Sequence, residues 1–139
     1  KEQFVIEVQG VTKQGEEMPR YAALIYSPAD TEGVEVSEEE MGRIMDEYNE
    51  FSRNAADAGV MAGGEALHDT NTATTIHVPT GKGGEPVFTD GPFAETKEVL
   101  GGFYLLDCAD LDEAVKWAQQ IPGAWRGKVE VRPCVDFES

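Results

Sequence analysis

Positive charge is scarce in this chain. Eleven Lys and Arg stand against 27 Asp and Glu in 139 residues, a formal charge of −16. Nucleic-acid binding requires clustered Lys and Arg to displace phosphate counterions, and docking on an anionic membrane requires similar clusters, so neither partner is expected. The bland consequence of the charge is solubility; the partner it would attract is a basic one. Cysteine is as sparse, with Cys108 and Cys134 alone. They form no CxxC pair and have no histidine at ligand spacing, which argues against a disulfide scaffold or a zinc site. Both end apolar strand-like runs, where buried or half-buried thiols are expected, and a reducing cytoplasm fits them. His68 and His77 are too far apart in the chain for a metal motif, and no metal or cofactor is expected. No run approaches the ~20 apolar residues of a membrane helix, and no signal-peptide pattern is visible.

What remains is enough for one hydrophobic core: 40% of the residues are apolar, in a length that suits a single domain. Phe4, Ile6 and Val8 alternate with polar neighbours and predict a strand, followed by a polar turn over 13–17. Tyr21 to Tyr26 is apolar on both faces, as in a central strand. Ser37 and Glu40 form a capping box ahead of Met41, Ile44, Met45, Tyr48, Phe51, Ala55 and Ala58 at helical spacing. Gly59 stops that helix, predicted over 37–58. A strand over 60–67 is interrupted by Gly63-Gly64, a bulge or a close backbone approach. Strands 72–78 and 85–89 flank a Gly-rich hairpin loop that lacks phosphate-loop spacing. Residues 90–100 read as irregular, 101–107 as a strand with Phe103 and Leu105 on one face and Tyr104 and Leu106 on the other. Asp110 and Glu113 cap a second helix ended by Pro122-Gly123, and a last strand carries Val129, Val131 and Val135. This order predicts an α+β domain with one mostly antiparallel sheet and both helices on one face. Strands apolar on both faces then require a second cover, most simply another copy of the chain, so a homodimer is expected.

The stretch Asp90-Gly91-Pro92-Phe93-Ala94-Glu95-Thr96-Lys97-Glu98, followed by Leu100-Gly101-Gly102-Phe103-Tyr104, resembles the DGPF signature of the YCII-related family. Gly63 to Leu67, Thr72 to Thr75, Asp110 to Ala114 and Val129 to Pro133 match in order, so the resemblance covers about residues 21–135. It implies a ferredoxin-like βαββαβ fold with an added β-hairpin and dimeric α/β-barrel-type packing. Residues 1–17 then form an extension with an extra strand, and 18–139 the family domain. The family implies no known reaction; some members are encoded beside extracytoplasmic-function sigma factors, which implies a sigma-factor pathway partner. A His–Asp dyad proposed in the broader group has its histidine on the first helix. Helix 37–58 holds none, and His68-Asp69 are neighbours in a turn.

The 90–98 segment is the best site candidate, because irregular polar loops on rigid sheets commonly carry binding groups. Asp90 is suited to an Asx-type role in the turn, with Phe93 plugging the loop onto the core. Glu95 and Glu98 are acid–base candidates, and Lys97 a partner for an anionic group. Glu65, beside the glycine pair, Tyr104 and Arg132 complete a cleft for a small polar ligand. Any one of these charges has an equally simple reading as solvated surface. Three functions follow: a ligand-binding or regulatory domain, a small enzyme using acid–base groups of the loop, or a structural dimer without ligand.

Overall fold

Ser37 caps the first helix as expected, its hydroxyl accepting from the Glu40 N–H at 3.1 Å. In the computed structural model, which describes residues 12–13 and 16–137, that helix is α1, Glu38–Asp57, with Phe51 and Ala55 buried. The reciprocal half of the capping box is absent. The Glu40 carboxylate turns instead to Arg43 and Arg126, because charged donors outcompete a neutral N–H. Gly59 follows with φ 75°, the left-handed turn that favours glycine.

The strands are β1 (Thr12–Lys13), β2 (Glu16–Glu17), β3 (Arg20–Pro28), β4 (Met61–Ala66), β5 (Thr74–His77), β6 (Val87–Asp90), β7 (Glu98–Asp107) and β8 (Lys128–Pro133). β1 and β2 form a two-residue antiparallel ladder, Thr12 with Glu17 and Lys13 with Glu16; the turn predicted over 13–17 lies in part outside the described residues. The strand predicted over 4–8 lies outside the described residues. The main sheet has the order β4-β7-β3-β8, every neighbour antiparallel. With α1 after β3 and α2 (Leu111–Ala118) after β7, this is the ferredoxin-like βαββαβ arrangement, carrying β5–β6 as an inserted hairpin.

One face of the sheet holds the core. Tyr21, Ala23 and Leu106 pack with Phe51 and Ala55 of α1 and Ala114 and Ala118 of α2, closed by Val60, Cys108 and Ile121. Both helices therefore lie on the same face. Asp110 caps α2 by accepting from the Glu113 N–H at 2.9 Å, while Glu113 reaches back to the Ala109 N–H at 2.6 Å. After Pro122 the chain makes one further turn, α3 (Gly123–Arg126), where a stop was predicted. Gly123 is needed there for space as much as for termination: a Cβ would collide with Ile25 Cγ2.

Two irregularities set which side chains reach which face. In β4 the register slips between Met61 and Gly63, and a Cβ on Gly64 would stand 2.6 Å from the Phe103 carbonyl. Both predicted features are present: the bulge, whose extra residue is Ala62 just before the glycine pair, and the close backbone approach, at Gly64. In β7, Ile25 pairs with Gly102 but Tyr26 with Leu100, leaving Gly101 as an extra residue. This bulge also explains why β7 begins at Glu98 and not at Gly101: one unpaired residue breaks the alternation from which a strand is read.

Candidate functional site

Strand alternation places Ala22, Leu24 and Tyr26 of β3 and Leu100, Phe103 and Leu105 of β7 on the face away from the helices, with pairs Ala22–Leu105, Leu24–Phe103 and Tyr26–Leu100. All but Leu100 are half-buried, and Leu100 is exposed. Among the described residues no helix covers this apolar strip. The outer strands frame it with charge: Glu65 of β4 stands opposite Phe103, and Lys128, Glu130 and Arg132 of β8 stand opposite Tyr26, Leu24 and Ala22.

The predicted site residues divide over this frame. Glu65 and Arg132 share the open face but sit on its two outer strands, about 14 Å apart at ~4.8 Å per strand. Arg132 Nε donates to Glu130 at 3.3 Å. Tyr104 lies on the opposite, helix-covered face, half-buried with its ring 5.0 Å from that of Phe51. Asp90 closes β6 opposite Thr74 and is exposed, so the irregular segment is shorter than predicted, 91–97. Gly91 has φ 96°, a conformation reserved for glycine, and supplies the turn into Pro92. Phe93 does not plug the loop onto the core; it is 86% exposed, because the hairpin holds this loop away from the helices. Glu95 and Lys97 are exposed, and the Lys97 carbonyl accepts from the Ala29 N–H at 2.7 Å.

Glu98 is the predicted residue with the most definite surroundings. It begins β7 opposite Pro28. Its Oε2 accepts from Lys128 Nζ at 2.8 Å across β3, while Oε1 is buried and has no hydrogen-bond donor among the described residues. A buried carboxylate oxygen left without a donor is costly. Lys128 was not anticipated, although Lys128, Glu130 and Arg132 at alternate positions mark one face of a strand and carried the signal.

A second charged cluster ties α1 to α3. Arg126 donates to Glu40 and Glu47, each at 3.1 Å, and Arg43 joins Glu40. The Arg43 hydrogen bond first, then Arg126, holds the Glu40 carboxyl below its ordinary range. Tyr48 beside it is raised, mainly by burial. At the start of β3 Arg20 and Asp107 form a forked ion pair, and beyond the other end of that strand Glu32 accepts from the N–H and hydroxyl of Thr70 at 2.8 and 2.7 Å.

Cys108 is fully buried and Cys134 exposed, and both are free thiols. Burial, with Glu113, Asp107 and Asp110 adding to it, pushes Cys108 up to about 11. The thiolate is the reactive form, so Ellman's reagent at pH 8 should find one thiol in the folded chain and two after denaturation. Two fast thiols in the folded state would contradict this placement. Because the folded value lies above the unfolded one, the protonated thiol favours the fold, and that contribution should fade as pH rises from about 9 to 11.

No helix among the described residues is long and apolar enough to cross a membrane, and these residues hold no group of three or more His, Cys, Asp or Glu able to bind a metal. The YCII-related domain model matches residues 20–138. A protein of Rhizobium meliloti (strain 1021), described as uncharacterized, is 40% identical over 115 residues, covering 81% of this chain and 90% of the relative. The sheet order, the inserted hairpin and this match over nearly the whole chain lead to one conclusion: the chain belongs to the YCII-related domain family.

Proposed function

We propose that this YCII-related domain acts as a homodimer that binds a small polar ligand at the Glu98 end of its open sheet face. The observation that carries the reading is the Glu98 carboxylate, paired with Lys128 through one oxygen and, among the described residues, buried without a donor at the other. Such a group is complementary to a ligand amine or hydroxyl. Glu95 and Lys97 on the adjoining loop gate the same end of the sheet, with Asp90 setting the loop's start. Glu65 and Arg132 rim the face, and Tyr104 supports the strand from behind. The apolar strip supports the dimer, since a contiguous apolar sheet face is rarely left in water. The DGPF-type resemblance supports a regulatory use of the binding, in a sigma-factor pathway. The same unpartnered oxygen favours a second reading, in which Glu98 or Glu95 moves a proton in a small enzyme.

Light scattering of the whole chain should give about twice the 15.1 kDa chain mass. A thermal-shift screen against amino acids, amines and polyols should yield a ligand that raises Tm. At one hundred times its Kd, such a ligand stabilises the fold by about 2.7 kcal/mol. Glu98→Gln and Lys97→Ala should abolish that shift. Lys97→Ala alone should change the ligand-free stability by only about 0.5 kcal/mol or less. A ligand whose shift survives both substitutions binds elsewhere and overturns the reading.

A further inference from the structure

We propose that the β5–β6 hairpin is an arm that grips a second copy of this chain, an inference that rests on the dimer reading above and specifies how the dimer is held.

The hairpin pairs Thr74 with Asp90, Thr75 with Thr89, Ile76 with Phe88 and His77 with Val87. Ile76 and Phe88 form a cross-strand apolar pair of the kind that stabilises sheets, yet they remain 59% and 63% exposed. Val78 and Val87 beside them are exposed too. A two-stranded hairpin standing alone is marginal in water, and among the described residues the apolar pair stays largely uncovered.

Its root, by contrast, is firmly built. The Gly91 N–H donates to the Ala73 carbonyl at 2.7 Å. Thr75 Oγ1 donates to the Gly91 carbonyl at 2.8 Å. The Glu32 carboxylate holds Thr70 just before the first strand. An anchored root with an uncovered apolar shaft is a preorganised contact surface, which lowers the ordering cost of binding.

Charge identifies the occupant. The hairpin, residues 74–90, carries three charged side chains, Lys82, Glu85 and Asp90, at its tip and root and none beside the Ile76–Phe88 pair. Two copies at −16 each repel, so they can meet only through low-charge surface. The uncharged stretch around the Ile76–Phe88 pair is such a surface.

Area points the same way. Four strands at about 4.8 Å spacing, paired over about six residues at about 3.4 Å each, give a sheet face of about 400 Å² in plan. A stable interface commonly removes about 800 Å² from each partner. The arm's apolar side adds low-charge area to that face.

The test is sedimentation equilibrium on the full chain and on the double variant Ile76→Ser/Phe88→Ser. Both residues are exposed, so far-UV circular dichroism should be unchanged, while the dimer dissociation constant should rise at least tenfold. A dimer whose dissociation constant moves less than twofold overturns the arm and leaves the dimer reading standing. A native chain that is monomeric at every concentration overturns both. Replacing Phe88 with a photo-crosslinking benzoyl-phenylalanine gives an independent readout. A covalent product of twice the chain mass supports the arm. A crosslink confined within one chain shows that the hairpin folds back on its own molecule, and overturns it.

Discussion

Asp107→Ala should be the most damaging single substitution at a charged position, lowering unfolding free energy by about 3–5 kcal/mol. Asp107 faces Arg20 directly across β3 and β7 and accepts from its Nε at 2.8 Å and from Nη2 at 3.2 Å. The side chains are only 4% and 13% exposed. Alanine leaves a guanidinium buried without its counter-charge, which costs more than the pair itself contributes. Urea unfolding should show the midpoint falling at an unchanged slope. Arg20→Met combined with Asp107→Leu should recover much of the loss, since a buried pair is often replaceable by apolar groups of similar volume. A single variant within about 1 kcal/mol of the parent would mean that water already reaches the pair.

Phe51→Ala should cost about 3–5 kcal/mol, the usual range for removing a buried phenylalanine. The ring is 2% exposed. Its centroid lies 5.0 Å from Tyr104 and 6.3 Å from Trp117, in tilted and edge-on arrangements that add to simple burial. It therefore joins α1, β7 and α2 at one point. Alanine's better helix propensity offsets only about 0.5 kcal/mol of the loss. Unfolding of the variant, followed by fluorescence, should begin at lower denaturant, with the Trp117 environment already more polar in the folded state. A loss below about 1 kcal/mol would mean that the three elements are held together elsewhere.

The elements best legible in the sequence were those whose signals are local. The α1 boundaries followed from Ser37, the apolar spacing and Gly59, all within one helix. The faces of β7 were equally readable, with Phe103 and Leu105 apart from Tyr104 and Leu106. The relation between strands was harder to read. Nothing local to Tyr104 says that its face is the one the helices cover, so it was grouped with Glu65 and Arg132, which lie on the other side of the sheet. Pairing of Glu98 with Lys128 depends on two registers at once, β7 with β3 and β3 with β8, and no short-range pattern encodes a product of registers. The exposure of Phe93 was misread for a related reason. Aromatic residues are usually buried, and the rule fails where an inserted hairpin carries the loop away from the core.

The extra residue at Gly101 acts as a phase shifter in β7. Counting back from Gly102, which pairs with Ile25 on the helix side, regular alternation would send Leu100 and Glu98 to that same side. With the bulge they pair with Tyr26 and Pro28 on the open side. One glycine thus decides on which surface the first part of the strand is displayed, while everything from Gly102 onward keeps its place. Drawing Gly101 into the ladder opposite Tyr26 would invert that display, driving Glu98 toward the apolar interior and leaving Lys128 behind on the far surface. Deleting Gly101, by contrast, would keep Leu100 and Glu98 opposite Tyr26 and Pro28. Register at this point is therefore as much a determinant of the site as the identity of Glu98.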